Sequence, residues 1–197
     1  MAREIPTVDF TLAQSSQEDE RKEFVRQVGD ALHDIGFFAL INHGIDTELI
    51  MDAYDQCDRF FELDDVTKRS YLLPHIAHQR GYTAFGVEHA KDNPAPDLKE
   101  FWQTGRAYPS DGPAPTYPQN VWPNQHAPEF RNVIDHLYTD MEVLSMRLLE
   151  ACSLYLDMPA DWLPDMAEHG NTIMRMIHYP PLDTSMPKGA VRSAAHE

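Results

Sequence analysis

"ALHDIGFFALINHGI" (residues 31–45) sets out a helix end, a break, a strand and a turn in quick succession. Ala31, Leu32 and Ile35 complete an apolar stripe begun by Phe24 and Val28, at the spacing of one helix face. Gly36 supplies the stop. "FFALI" (37–41) is aromatic and branched, the composition of a buried strand, and "NHG" (42–44) is the turn that ends it. In that turn, a local side-chain-to-backbone bond accounts for His43. A helix handed directly to a strand makes this a mixed α and β chain.

Toward the N-terminus, "IPTVDF" (5–10) is β-prone, and Ser15 with Glu18 has the form of a capping box at the helix start. Toward the C-terminus, Asp46 is placed to cap a second helix whose Ile50, Ala53, Tyr54, Cys57, Phe60 and Phe61 share one face. "DDVTKRSY" (64–71) reads as one more short helix. Nine of the fifteen prolines fall within residues 74–126 or at their edge. A stretch this long without clear periodicity is functional or a linker. Its aromatics (Tyr82, Phe85, Phe101, Trp102, Tyr108, Tyr117 and Trp122) favour a packed loop.

From Pro128, well placed at a helix start, a long helix runs to about Leu156. Phe130, Val133, Ile134, Leu137, Met141, Leu144, Leu148, Cys152 and Tyr155 form its stripe. Asp161 opens a further short helix ending near Gly170. "NTIMRMIHYPP" (171–181) and "GAVRSAAHE" (189–197) then read as strands joined by a proline-rich turn. Helices followed by strands suggest an α+β layout, or a helical front wrapped onto a β-barrel.

The net charge of -16, from 16 basic and 32 acidic residues, disfavours a surface that tracks phosphates. Nucleic acid and anionic membranes are therefore not expected as partners. Cys57 and Cys152 lie on apolar helical faces and read as buried small hydrophobes, not a disulfide. The opening residues carry charges where a signal peptide needs an apolar core, and no run approaches a membrane span, so a cytoplasmic protein is expected.

Ten histidines raise the question of metal. "HIAH" (75–78) has a spacing seen in metal sites, but no Cys, Asp or Glu accompanies it at matching spacing. No GxGxxG, P-loop lysine or G-x-S-x-G is present. In the penultimate strand, alternation puts Ile173, Arg175, Ile177 and Tyr179 on one face and Met174, Met176 and His178 on the other. Two readings of Arg175 stand: it meets a carboxylate ligand, or it lies exposed on an edge strand or paired with a structural acid.

Taken together, these segments resemble the non-haem Fe(II)/2-oxoglutarate-dependent oxygenases of the isopenicillin N synthase-like family. "IPTVDF" is similar to the family's opening strand, and "ALHDIGFFALINHGI" closely resembles the segment by which its N-terminal region is recognised. "RGYTAFGVE" (80–88), "DLKEFWQTGR" (97–106) and "MRMIHYPP" (174–181) resemble the following loop, a strand, and the strand before the metal motif. The resemblance implies a fold of class α+β: an N-terminal helical region and a long spine helix, with the first part of a distorted double-stranded β-helix (jelly roll). It divides the chain into 1–126, the N-terminal dioxygenase region with a substrate-side loop at 74–126, and 127–197, the spine helix and the start of the core.

The same resemblance implies an enzyme that uses Fe(II) and 2-oxoglutarate, with O2, to hydroxylate, desaturate or cyclise a small-molecule substrate, giving succinate and CO2. The iron in this family sits on a His-x-Asp pair plus a distant His, one octahedral face that leaves three positions for other ligands. The resemblance puts His196 at the first ligand and Glu197 at x, so that the sequence is expected to stop inside the motif and, alone, to be inactive. It assigns Arg175 and Tyr179 to co-substrate or substrate contact, and Arg80, Tyr82 and Phe85 to the substrate. Ile177 stands where plant relatives carry the Asn of an N-x-Tyr pattern. Alternatives are a 2-oxoglutarate-independent oxidase or ethylene-forming type of the same family, and a non-catalytic truncated binding module.

Overall fold

The computed structural model describes residues 4–88, 97–107, 117–182 and 190–193. Among these residues five α-helices and five strands mix along the chain, as the sequence patterns predict: β1 (Thr7–Asp9), α1 (Glu18–Asp34), β2 (Ala39–Ile41), α2 (Thr47–Phe61), α3 (Asp65–Arg69), β3 (Gly81–Thr83), β4 (Glu100–Gly105), α4 (Phe130–Tyr155), α5 (Trp162–Ala167) and β5 (Ile173–His178). Two compact units result: residues 1–47 with 139–170, and residues 48–138 with 171–197. Neither is contiguous in sequence, and α4 contributes to both. The 126/127 boundary is a division of sequence regions and not of these units.

In the first unit, β1 and β2 pair in parallel, with Val8 opposite Leu40. Val8, Phe10, Phe24, Val28 and Ala151 form its apolar core. Phe10 and Phe24 meet edge to face at 5.8 Å, and burying each such side chain is worth roughly 1.5–3 kcal/mol. The 3-10 turn Phe10–Gln14 is capped by Asp9, which accepts from the Thr11 amide and from Asn42 Nδ2 at 3.0 Å. Asn42 itself has a positive φ of 53°, a conformation Asn tolerates better than most residues. As expected, the Ile45 amide donates to His43 Nδ1 at 3.2 Å.

Two local expectations fail here. α1 begins at Glu18, with Gln17 at its N-cap and no side-chain cap, so the Ser15–Glu18 box does not form; Ser15 Oγ accepts from the Gln17 amide instead. The stretch 37–41 is not buried: Phe37, ahead of β2, is 69% exposed and Ile41 within it 45%, and β2 has only β1 beside it among the described residues.

The second unit is built on the antiparallel sheet β3-β4-β5. The register pairs Tyr82 with Trp102 and Trp102 with Met176. Ala53, Phe60 and Phe61 of α2 and Phe130 and Ile134 of α4 pack with Tyr82 and Trp102 in one core. Phe60 is its hub, edge-on to Trp102 at 4.8 Å. Tyr54 was expected on the buried face of α2 but is exposed; Leu49 and Gln56 are buried with Ala53. Both β3 and β4 fall within residues 74–126, so that region is not a loop throughout. Of the expected final strand, Val191 makes an isolated parallel bridge to Asp97. No helix among the described residues is long and apolar enough to cross a membrane.

Candidate active site

Alternation sorts the β3-β4-β5 sheet into two faces of different chemistry. The face toward the aromatic core carries Tyr82, Glu100, Trp102, Thr104, Met174, Met176 and His178. The other carries Thr83, Phe101, Gln103, Arg175 and Ile177. All six residues of β4 are buried, which makes its polar side chains informative.

On the core face, Glu100 is 3% exposed yet hydrogen-bonding partners surround it. Lys68 Nζ donates to its two oxygens at 3.1 and 2.8 Å, the Tyr82 hydroxyl donates to Oε2, and His178 Nδ1 lies 2.8 Å from Oε1. His178 is also stacked on Phe61 at 5.0 Å. Burial opposes the charge on Glu100, but the bonds from Lys68, Tyr82 and His178 outweigh it and hold the carboxyl below its usual range. For Tyr82, burial and the Glu100 bond together push the phenol well above its usual value. This four-way knot draws on α3 and all three strands.

On the second face, Arg175 Nη1 reaches both oxygens of Glu88, at 3.0 and 3.3 Å. Its Nε and Nη2 donate to Gln103 Oε1 at 3.3 and 3.2 Å, and its guanidinium lies 4.2 Å from the Phe101 ring centroid, a cation–π contact. Lys99 Nζ meets Glu88 at 2.7 Å and Asp97 at 2.9 Å. Burial works against the Lys99 charge, while the two carboxylates outweigh it and raise its pKa. Thr83 is 4% exposed, and its Oγ1 has no hydrogen-bond partner among the described residues.

The expected site residues divide accordingly. Arg175 is on the second face, and Tyr179, half-buried, lies one residue beyond β5. Arg175 is paired with an acid of this chain, Glu88. Phe85 is half-buried in the turn after β3. Tyr82 is fully buried on the opposite face from Arg175, its hydroxyl engaged by Glu100, so the structure does not bring the two together.

Arg80 is also fully buried, donating to the Gln79 carbonyl at 2.8 Å and to Asn171 Oδ1 at 2.7 Å. It packs where a side chain at Gly105 would stand: a Cβ there would come within 2.4 Å of its Nη2. His196 and Glu197 lie outside the described residues. Among those that are described, no group of three His, Cys, Asp or Glu side chains is placed to hold a metal ion. Sequence reasoning missed Glu100, Lys68, Glu88, Lys99 and Gln103.

The geometry can now be compared with known proteins. Residues 5–125 match the family model for the N-terminal part of the non-haem dioxygenase in morphine synthesis. A 2-oxoglutarate-dependent dioxygenase of Aspergillus rugulosus is 28% identical over 190 residues, covering 88% of this chain and 55% of that protein. Another, from Trichoderma harzianum, is 28% identical over 186 residues, covering 93% and 58%.

Among solved structures, a Caulobacter crescentus protein assigned to the 2OG-Fe(II) oxygenase family superposes with a TM-score of 0.78 at 32% identity, over 92% of this chain and 58% of its own. Neurospora crassa T7H in complex with alpha-KG shares the fold, with a TM-score of 0.80 at 24% identity over 98% and 60% of the two chains. The chain thus spans little more than half the length of the curated relatives it matches. Since the family match extends over more than half of the chain, the protein belongs to the non-haem dioxygenase N-terminal family.

Proposed function

We propose that this chain is part of a cytoplasmic Fe(II)- and 2-oxoglutarate-dependent dioxygenase that oxidises a small molecule with O2, the 2-oxoglutarate leaving as succinate and CO2. The observation that carries the reading is that relatives named 2-oxoglutarate-dependent dioxygenases align over 88% and more of this chain. In this reading β3-β4-β5 is the start of a double-stranded β-helix, and its second face lines the substrate pocket. The long helix α4 is the spine behind it.

Iron, when bound, supplies the activation of O2; His196 is its first protein ligand. The chain's other residues supply geometry. Arg175, fixed by Gln103, Glu88 and the Phe101 ring, presents a rigid polar surface to substrate or co-substrate, with Tyr179 further along the same side and Phe85 as an apolar wall. Arg80 and Tyr82, buried and internally bonded, serve the substrate by holding the strand ends in place from behind.

The test is turnover by the full-length protein given Fe(II), ascorbate, 2-oxoglutarate and a panel of small molecules. Succinate formation that requires both iron and 2-oxoglutarate, and that His196→Ala abolishes, is the expected result. Oxidation without 2-oxoglutarate consumption, or full activity in His196→Ala, would overturn the reading.

A further inference from the structure

The second face of the β3-β4-β5 sheet is rich in charge, and among the described residues its charges are matched. Among those residues its cations are Arg175 and Lys99, and its carboxylates are Glu88 and Asp97. Glu88 is shared: both of its oxygens meet Arg175 Nη1, and Oε2 also meets Lys99 Nζ at 2.7 Å. Asp97 completes the neutralisation of Lys99 at 2.9 Å. Glu88 holds Nη1 and the Gln103 amide oxygen takes Nε and Nη2, so a second carboxylate at this guanidinium must displace Gln103 or approach the like charge of Glu88. The guanidinium remains a good neighbour for a neutral dipole.

A second, separate feature lies in the adjacent row of the sheet. Thr83 pairs with Phe101, two residues along β4 from the Gln103–Arg175 pair. Its hydroxyl is buried on that face with no partner among the described residues. Trp102 Nε1 and Thr104 Oγ1 are also without partners, but belong to residues on the core face. A buried hydroxyl without a partner is unusual enough to need one, and on this face a ligand group can supply it. A hydroxyl can donate or accept, so it suits an amide, which offers both.

We propose that Glu88 is a specificity-determining residue: by occupying Arg175 and Lys99 it sets this face to receive an uncharged, amide-like group of the substrate, bonded by Thr83, instead of a carboxylate. The inference rests on the reading that this face lines the substrate pocket. It implies a substrate whose polar group here is neutral.

Benzamide and benzoate, alike in shape and different in charge, are the probes. Each is titrated into the protein while the backbone amide signals of Thr83 and Gln103 are followed by NMR. Wild type is expected to bind benzamide at least about fivefold more tightly than benzoate. In Glu88→Gln, benzoate should gain about tenfold, the scale of one charge-assisted hydrogen bond. Glu88→Asp should keep the wild-type order, and Thr83→Val should weaken benzamide alone.

Benzoate binding by wild type as tightly as benzamide overturns the proposal. So does an unchanged preference in a Glu88→Gln protein whose remaining amide spectrum is native, or no response to either probe. Neither iron nor 2-oxoglutarate is present in these titrations, so their failure and a failure of turnover are separate results.

Discussion

The two compact units fill their interiors differently. The unit built on β1, β2 and α1 has an apolar core, from Val8 to Ala151, and its one buried polar side chain among the described residues is Ser153, a hydroxyl bonded to the Leu149 carbonyl. In the sheet unit, Arg80, Asp97, Lys99 and Glu100 are all buried. Taking a charge out of water costs several kcal/mol unless it is paired and hydrogen-bonded, and each of these has partners. The lesson is that the first unit relies on apolar packing alone, while the second adds matched charge to an aromatic core, so the two should fail differently.

The largest effect is expected from breaking the match. Glu100→Ala leaves Lys68 largely buried beside a vacated carboxylate position, and the loss of stability should be about 3–5 kcal/mol, read from urea unfolding. The same carboxylate gives the unit an acid limit. Because folding holds its pKa below the unfolded value, its contribution is complete above the ordinary carboxylate pKa of about 4.3. It is lost as pH falls through the lower folded value. Glu100→Gln should flatten the stability profile on that acid side.

Shape should break more gently. In α1, a Cβ at Gly29 would fall 2.0 Å from the Tyr155 ring. Replacing Gly by Ala inside a helix ordinarily gains about 0.5–1 kcal/mol, but overpacking costs about 1–3 kcal/mol. Gly29→Ala should therefore destabilise, with the Tyr155 hydroxyl drawn away from Asp30; a rise in the unfolding midpoint would contradict this. The smallest difference concerns the thiols. Burial pushes the Cys57 thiol in the sheet unit up to about 12 and raises Cys152 in the other unit too, Cys57 being the one with a large shift. In native protein at pH 8, iodoacetamide should modify Cys57 more slowly than Cys152, and denaturant should remove the difference.

What could be read beforehand follows the same division. Periodicity located α1, α2 and α4, and alternation sorted β5 correctly, because those patterns are written by neighbours a few residues apart. The His43 bond to Ile45 is equally local. β4 is different: Glu100, Gln103 and Thr104 interrupt the apolar run of a strand buried on both faces, so no periodicity marked it, and only the resemblance of "DLKEFWQTGR" pointed there. The partners of Glu100 lie 18, 32 and 78 residues away, beyond the reach of any local pattern. One usable sign was an acid set directly beside Phe101 and Trp102. Tyr54 was misplaced because its spacing fits the stripe of α2 while the buried side is centred on Leu49, Ala53, Gln56 and Phe60.

Arg80 and Gly105 carry a consequence for how such a chain can vary. The guanidinium fills the volume that any side chain at position 105 would claim, and Asn120 bonds both the amide and the carbonyl of that glycine, at 2.8 and 2.6 Å. The backbone at 105 is thus pinned on one side while the arginine presses on the other. Neither position can drift alone: a methyl group at 105 evicts the arginine, and a shorter residue at 80 opens a void beneath β4. Twenty-five residues apart in the chain, the two behave as one heritable character, exchanged together or kept together.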